Sequence, residues 1–399
     1  MQAFAAQLKS IVPMVRTVDA TYHSINHTTN KVPGELIGRF VRLMYFSPRK
    51  FRAVNFNSPM STRLVPNFTS GITELDMHWE DHYQTKVRIA HLNALTLIGL
   101  AIKFVHTKGI RTLINSHDDY IVVYPNLIYL RLLSRSTVHS LPKPLINKEA
   151  VPFPKLRHLY MEIDYPFADD VLFRGNSSTL DYLTIKPDIE TIYMLDRHGI
   201  FTTTKYHQLR RVDINEQLVA DSTRAIVAQF VLKVSSRAQV LCIKGRTLHK
   251  GFVMAVIRSK SLDHLQYLDV EGFKLTLCEI INLLGSLPSI THLLSSSVEL
   301  GHQFDDMTVD ELGDYMLMSY YPLSKTFRRW TCHTLRSSTG EVEALCVVLL
   351  AIACPRFSCT TVELDCYSAY CERVEELVAA EPYASFVELI EPLPKKKVA

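Results

Sequence analysis

At 399 residues the chain is longer than one ordinary hydrophobic core serves, and its 47% apolar and 21% charged content excludes a disordered polymer. A formal net charge of +4 with no clustered basic stripe excludes a dedicated nucleic-acid binder. The N-terminal residues lack the basic start, apolar run and small-residue cleavage site of a secretory signal, and the most apolar window, Ala344–Cys354, is too short to cross a bilayer. The expectation is an intracellular protein, cytoplasmic or nuclear, without a membrane partner. The sequons at Asn26, Asn67 and Asn176 are then chance matches.

Along the chain, weak strand candidates come first, at Met14–Ala20, Phe51–Phe56, Ile72–Met77 and Leu92–Leu97, with a helical segment at Gly34–Tyr45. A clearer phrase, Leu-x-x-Leu-x-Leu, follows. It reads Leu127-Ile-Tyr-Leu130-Arg-Leu132, then Leu156-Arg-His-Leu159-Tyr-Met161, then Leu180-Asp-Tyr-Leu183-Thr-Ile185. It continues as Leu209-Arg-Arg-Val212-Asp-Ile214, Leu265-Gln-Tyr-Leu268-Asp-Val270 and Ile290-Thr-His-Leu293, with a degraded copy near Val240–Ile243. Most intervals run from 24 to 29 residues, and one stretches to 37 between Ile290 and Phe327. Further strand candidates lie at Phe327–His333, Thr361–Asp365 and Phe386–Ile390.

Between them, Asp188–His198, Thr223–Val234, Thr276–Leu284, Val309–Tyr320, Glu341–Cys354 and Ser368–Ala379 carry apolar residues at helical spacing. Loops are expected at Thr28–Pro33, Arg135–Pro152 and Gly301–Thr308. Strand alternating with helix predicts parallel strands joined by right-handed crossovers. The period and consensus are those of leucine-rich repeats. The expected fold is therefore α/β: an irregular leucine-rich-repeat-like solenoid, an arc or horseshoe, with a parallel sheet on the concave side and helices on the convex side. One array would run over 1–391, degenerate over 1–120 and clearer over 121–391, with a basic tail at 392–399.

Signals for chemistry are sparse. His78-Trp-Glu80-Asp-His82 resembles a metal pair only loosely, because the zincin pattern needs Glu directly after the first His on a helix. His117-Asp118-Asp119, Asp169-Asp170 and Asp305-Asp306 place carboxylates next to one another, where neither strand nor helix geometry points them together. Six of the eight cysteines lie between Cys332 and Cys371, but none forms a Cys-x-x-Cys pair, so reduced and mostly buried thiols are expected, without metal. No P-loop, Gly-x-Gly-x-x-Gly or Gly-x-Ser-x-Gly occurs. No catalytic residue, cofactor or metal site is expected. The Lys395–Lys397 triplet reads as a solvated end of the chain.

Strand geometry supplies the candidate site. In each copy the last two leucines face the core, so the residues beside them face the open, concave side. That rule selects Tyr129, Arg131, His158, Tyr160, Tyr182, Thr184, Arg211, Asp213, Tyr267, Asp269, His292, Arg329 and Glu363. Tyrosine and arginine suit a protein partner, since they join large contact area to hydrogen bonding.

Beyond the generic repeat, YPFADDVLFRGN over Tyr165–Asn176 stands before a repeat strand, and FRRWTCH and ALCVVLLAIACPRF follow at Phe327–His333 and Ala344–Phe357. With these phrases the chain resembles a family of F-box/leucine-rich-repeat-like proteins of early-diverging fungi. Longer members open with an F-box-like helix pair; here only Val32–Val41 (VPGELIGRFV) loosely matches it, and it fits an ordinary repeat helix better. The resemblance implies a repeat solenoid. The expected function is a non-catalytic scaffold binding an unidentified protein on its concave face. The alternatives are a substrate-receptor subunit of a cullin-type ubiquitin ligase, whose partner would be an F-box-binding adaptor, and an enzyme of unknown class.

Overall fold

The computed structural model describes residues 17–21, 50–54, 72–78, 90–91, 93–104, 113–114, 121–134, 151–162, 178–186, 208–215, 224–245, 248–259, 261–301, 304, 307–320, 322–332, 345–346, 348–350 and 353–357. The chain divides into two compact units, Met1–Gln208 and Leu209–Ala399. Among the described residues the first unit holds β1 (Thr17–Thr21), β2 (Lys50–Val54), β3 (Glu74–His78), β4 (Gly99–Phe104), β5 (Tyr129–Ser134), β6 (His158–Glu162) and β7 (Tyr182–Ile185). Each pairs in parallel with the next in chain order. The second unit holds β8 (Arg211–Asn215), β9 (Val240–Lys244), β10 (Tyr267–Thr276), β11 (His292–Glu299) and β12 (Arg329–Cys332), paired in the same way. Its helices are α1 (Arg224–Ser235), α2 (His249–Ser259), α3 (Leu277–Ser286) and α4 (Val309–Tyr320). The chain is α/β, built on extensive parallel sheet.

The repeated phrase explains both the strands and their register. Leu75, Leu100, Leu130, Leu159 and Leu183 stand opposite one another on β3 to β7, each at most 2% exposed. Val212, Leu241, Leu268, Leu293 and Trp330 form the matching row on β8 to β12. Burying each such side chain contributes roughly 1.5–3 kcal/mol, so the row fixes register: a slip by one residue would turn every member to solvent. Trp330 takes a leucine's place because its indole N–H donates to the buried Ser295 Oγ (3.1 Å).

A turn precedes many of the strands. Tyr124-Pro-Asn-Leu127, Phe153-Pro-Lys-Leu156, Leu287-Pro-Ser-Ile290 and Cys354-Pro-Arg-Phe357 each close with the last N–H donating to the first carbonyl, at 3.0–3.3 Å. Proline at the second position pre-sets the turn. Two successive N–H groups then share one carbonyl of the preceding repeat: Ile128 and Tyr129 bond Ile98, Arg157 and His158 bond Ile128, and Thr291 and His292 bond Gln266. This recurring bond places each strand's first residue beside that of its neighbour.

Two expectations need correction. Within the strand candidate Leu92–Leu97, residues 93–96 form a turn, and the strand begins later, at Gly99. Leu95 is 72% exposed, and Asn93's carbonyl accepts from Thr96 and Leu97, which leaves no strand ladder there. The repeat copy is Leu97-x-x-Leu100-x-Ile102, whose three apolar residues are buried. Helix α2 is missing from the expected helices although Phe252–Ile257 is apolar; glycine stands at 251, where a Cβ would come within 2.8 Å of Cγ of Arg224 on α1. Helices α1, α3 and α4 fall where apolar spacing places them. Helical residues at 345–346, 348–350 and 353 lie within the expected Glu341–Cys354 segment. The segments Gly34–Tyr45, Asp188–His198, Ser368–Ala379, Thr361–Asp365 and Phe386–Ile390 and the loop Thr28–Pro33 lie outside the described residues.

Candidate functional site: the exposed sheet face

Alternation within each strand separates the core rows from two rows on the opposite face, and β6 and β8 show the pattern plainly, with every second residue buried. In the first unit one exposed row runs Glu74, Gly99, Tyr129, His158, Tyr182, and the row beside it runs Asp76, Ala101, Arg131, Tyr160, Thr184. In the second unit the rows are Arg211, Val240, Tyr267, His292, Arg329, and Asp213, Cys242, Asp269, Leu294, Thr331. Twelve of the thirteen residues selected by the alternation rule stand in these rows, and Glu363 lies outside the described residues.

The first unit's rows are aromatic. His158 and Tyr182 stack with ring centroids 4.3 Å apart and planes 7° from parallel, and Tyr129 approaches His158 at 6.5 Å. Tyr129 and Tyr182 remain 38% and 40% exposed, large surface for aromatic side chains held rigid by their neighbours. Alongside, the Arg131 guanidinium lies 4.6 Å over the Tyr160 ring, and the Tyr160 hydroxyl donates to Glu162 Oε2 (3.3 Å). Partial burial holds the His158 ring below its ordinary pKa and favours the neutral form, against a counteracting pull from Asp181. Burial pushes the Tyr129 phenol up; Arg131 opposes this and Asp76 adds to it.

A hollow of about 470 Å³ opens in these rows, lined by Glu74, Asp76, Gly99, Tyr129, Arg131 and His158 among others. It exists because β4 presents only Gly99 and Ala101 between larger residues on β3 and β5. Gly99 and Ala101 escaped the sequence reading because the Leu92–Leu97 candidate was out of phase with the true copy, Leu97-x-x-Leu100-x-Ile102. Glu74 and Asp76 lie in the expected strand Ile72–Met77, which stood among the weak candidates and not among the clear copies from which the face was read.

The second unit's rows are charged and internally paired. Arg211 Nε donates to Asp213 Oδ1 at 2.9 Å, two residues along the same strand. Cys242, on the degraded copy, occupies the exposed row yet is 3% accessible, walled in by Asp213 and Asp269. Burial raises the Asp269 carboxyl, partly offset by the N–H of Glu271 (3.0 Å). Burial, with Arg329 and Arg328, lowers the His292 ring. Tyr267 faces His292 at 6.1 Å.

Among the described residues no three His, Cys, Asp or Glu side chains gather as a metal site would require, and no helix is long and apolar enough to cross a membrane. Of the suspected metal pair, His78 lies on β3 and His82 falls outside the described residues. Cys242, Cys278, Cys346 and Cys354 are not joined in disulfides. No protein-family model matches the chain, and no curated protein matches it.

Proposed function

We propose that the chain is a non-catalytic protein-recognition scaffold, a leucine-rich-repeat-like solenoid whose exposed strand face is its concave binding surface. The supporting observation is the ordered aromatic row Tyr129, His158 and Tyr182, exposed in part and held by stacking on consecutive parallel strands. A rigid surface loses little conformational freedom on binding, and tyrosines concentrate interface energy. The phrases at Tyr165–Asn176 and Phe327–His333 support a place among F-box/leucine-rich-repeat-like proteins. The ligase reading requires Val32–Val41 to bind an adaptor, and that segment lies outside the described residues.

The test places a photo-crosslinking amino acid at Thr184, in the exposed row, and at Lys233, on the solvent side of α1, in the full chain within its native cell. A protein captured from Thr184 and not from Lys233, and lost when Tyr182→Ala is added, is the expected result. Truncation of such an anchor typically costs about 1–2 kcal/mol or more, which is a tenfold weakening. Equal capture from both positions would exclude the sheet face as the recognition surface.

A further inference from the structure

We propose that the row Tyr129, His158 and Tyr182 receives a proline-rich segment of a protein partner, in the polyproline II conformation and running across the strands. This deepens the scaffold reading and rests on it. The first ground is spacing. β6 pairs with β5 on one side and with β7 on the other, so Tyr129 and Tyr182 stand two strands apart in one register row. Two strand spacings are about 9.5 Å. A polyproline II helix repeats every three residues, an advance of about 9.3 Å, so residues three apart reach both rings from one face. An extended strand repeats each face at about 6.7 Å and falls out of step with the row. An α-helix falls short at four residues, about 6 Å, and overshoots at seven, about 10.5 Å. Tyr129 and Tyr182 are 38% and 40% exposed, and His158 between them is less so, which makes the row two contact points at the ends of a braced stack.

The second ground is complementarity of charge and hydrogen bonding. The row is uncharged: it consists of two phenols and a ring that burial holds toward its neutral form. Among the described residues no intramolecular hydrogen bond engages the Tyr129 or the Tyr182 hydroxyl, so both remain as donors. Burial raises the Tyr129 phenol and keeps its proton in place. The polyproline II backbone makes no internal hydrogen bonds, so its carbonyls are free acceptors, and proline brings no N–H that would need a partner. Uncharged donors without partners therefore meet an uncharged ligand that has only acceptors, on aromatic rings against which proline packs. An α-helix has already spent its carbonyls internally. Beyond Tyr129, β4 presents only Gly99 and Ala101 in these rows, so no side chain blocks a segment that runs on past the row.

Three display libraries of ten-residue peptides, panned on the immobilised full chain, provide the probe: one with a fixed Pro-x-x-Pro core, one with Pro-x-x-x-Pro, and one unrestricted. Pro-x-x-Pro peptides should be enriched over the wider spacing, and the unrestricted binders should converge on the same core. The best peptide is then titrated by fluorescence polarisation against the full chain, Tyr129→Ala, Tyr182→Ala, Tyr182→Phe and, in the second unit, Tyr267→Ala. Each first-unit alanine change should weaken binding at least tenfold with the thermal midpoint little changed, and Tyr267→Ala should leave binding intact. Tyr182→Phe should weaken it roughly threefold to tenfold through the lost hydroxyl alone. That variant keeps the ring stack, so the test stands should an alanine variant fold poorly. Equal enrichment of Pro-x-x-x-Pro, no binder from the Pro-x-x-Pro library, or binding indifferent to the first-unit variants would overturn the proposal. Unrestricted binders that lack proline yet are lost in Tyr182→Ala would sink the proline inference and leave the sheet-face reading standing. Unrestricted binders indifferent to every tyrosine change would sink both.

Discussion

Cys242 shows how far a single residue's chemistry depends on its neighbours. It stands in the exposed row of β9, where a thiol would be expected to react, yet it is buried, and burial pushes its pKa up, with Asp213 and Asp269 adding to the effect and Arg211 offsetting part of it. The thiolate is the reactive form, so a raised pKa suppresses reaction. Native protein treated with iodoacetamide at mildly alkaline pH should leave Cys242 unmodified while the unfolded chain reacts fully, as read by peptide mass spectrometry. Rapid modification in the folded protein would contradict that burial. Cys354, pushed up to about 12 by burial, should be protected in the same way. Cys354 is among the thiols expected to be buried, whereas Cys242 was not separable by sequence from a reactive cysteine, because the carboxylates flanking it come from the repeats on either side.

At the scale of the element, the start of α3 links two helices. The Thr276 side chain accepts from the Glu279 N–H (3.2 Å), and Glu279 Oε2 accepts from the Thr276 N–H (2.8 Å), a reciprocal capping box. The same carboxylate oxygen meets His249 Nε2 of α2 at 3.2 Å. Burial alone would raise the Glu279 pKa, but the His249 contact and the Thr276 hydrogen bonds outweigh it and hold the carboxyl below the ordinary range. A depressed carboxylate stabilises the fold above its unfolded pKa, and that contribution is lost as pH falls through the folded value. Glu279→Gln should therefore destabilise by about 1 kcal/mol at neutral pH. The difference from the parent in urea titrations should shrink below the ordinary glutamate pKa of about 4.3; a pH-independent difference would show that shape, not charge, matters. Gly272, in the β10 bulge between Val270 and Lys274, lies against the Gly245 backbone carbonyl, and Gly272→Ala should cost more than the capping change by the same measurement.

For the whole molecule, repetition implies local stability. Where each strand contacts only its neighbours, a destabilising change should loosen adjacent repeats and spare distant ones. Leu130→Ala removes a fully buried side chain from β5 and should cost about 2–5 kcal/mol. Hydrogen exchange should then show protection falling in β4 to β6 and retained in β10 and β11. A uniform loss of protection would instead indicate a single cooperative core.

The side of the sheet on which Tyr129, Tyr182 or His292 stands was legible without coordinates, since alternation along a strand is a local property of the pleat. The same locality exposed the strands carrying Leu-x-x-Leu-x-Leu and the helix that opens at Thr276. It misled at Leu92–Leu97, where the turn at 93–96 mimicked alternation, and it passed over α2, where Gly251 lies close against Arg224. Tertiary structure alone decided what lies beside what. Register across repeats set Gly99 between Glu74 and Tyr129, and Cys242 between Asp213 and Asp269. A hollow is the absence of side chains among neighbours brought together from distant parts of the chain, so no single repeat contains it.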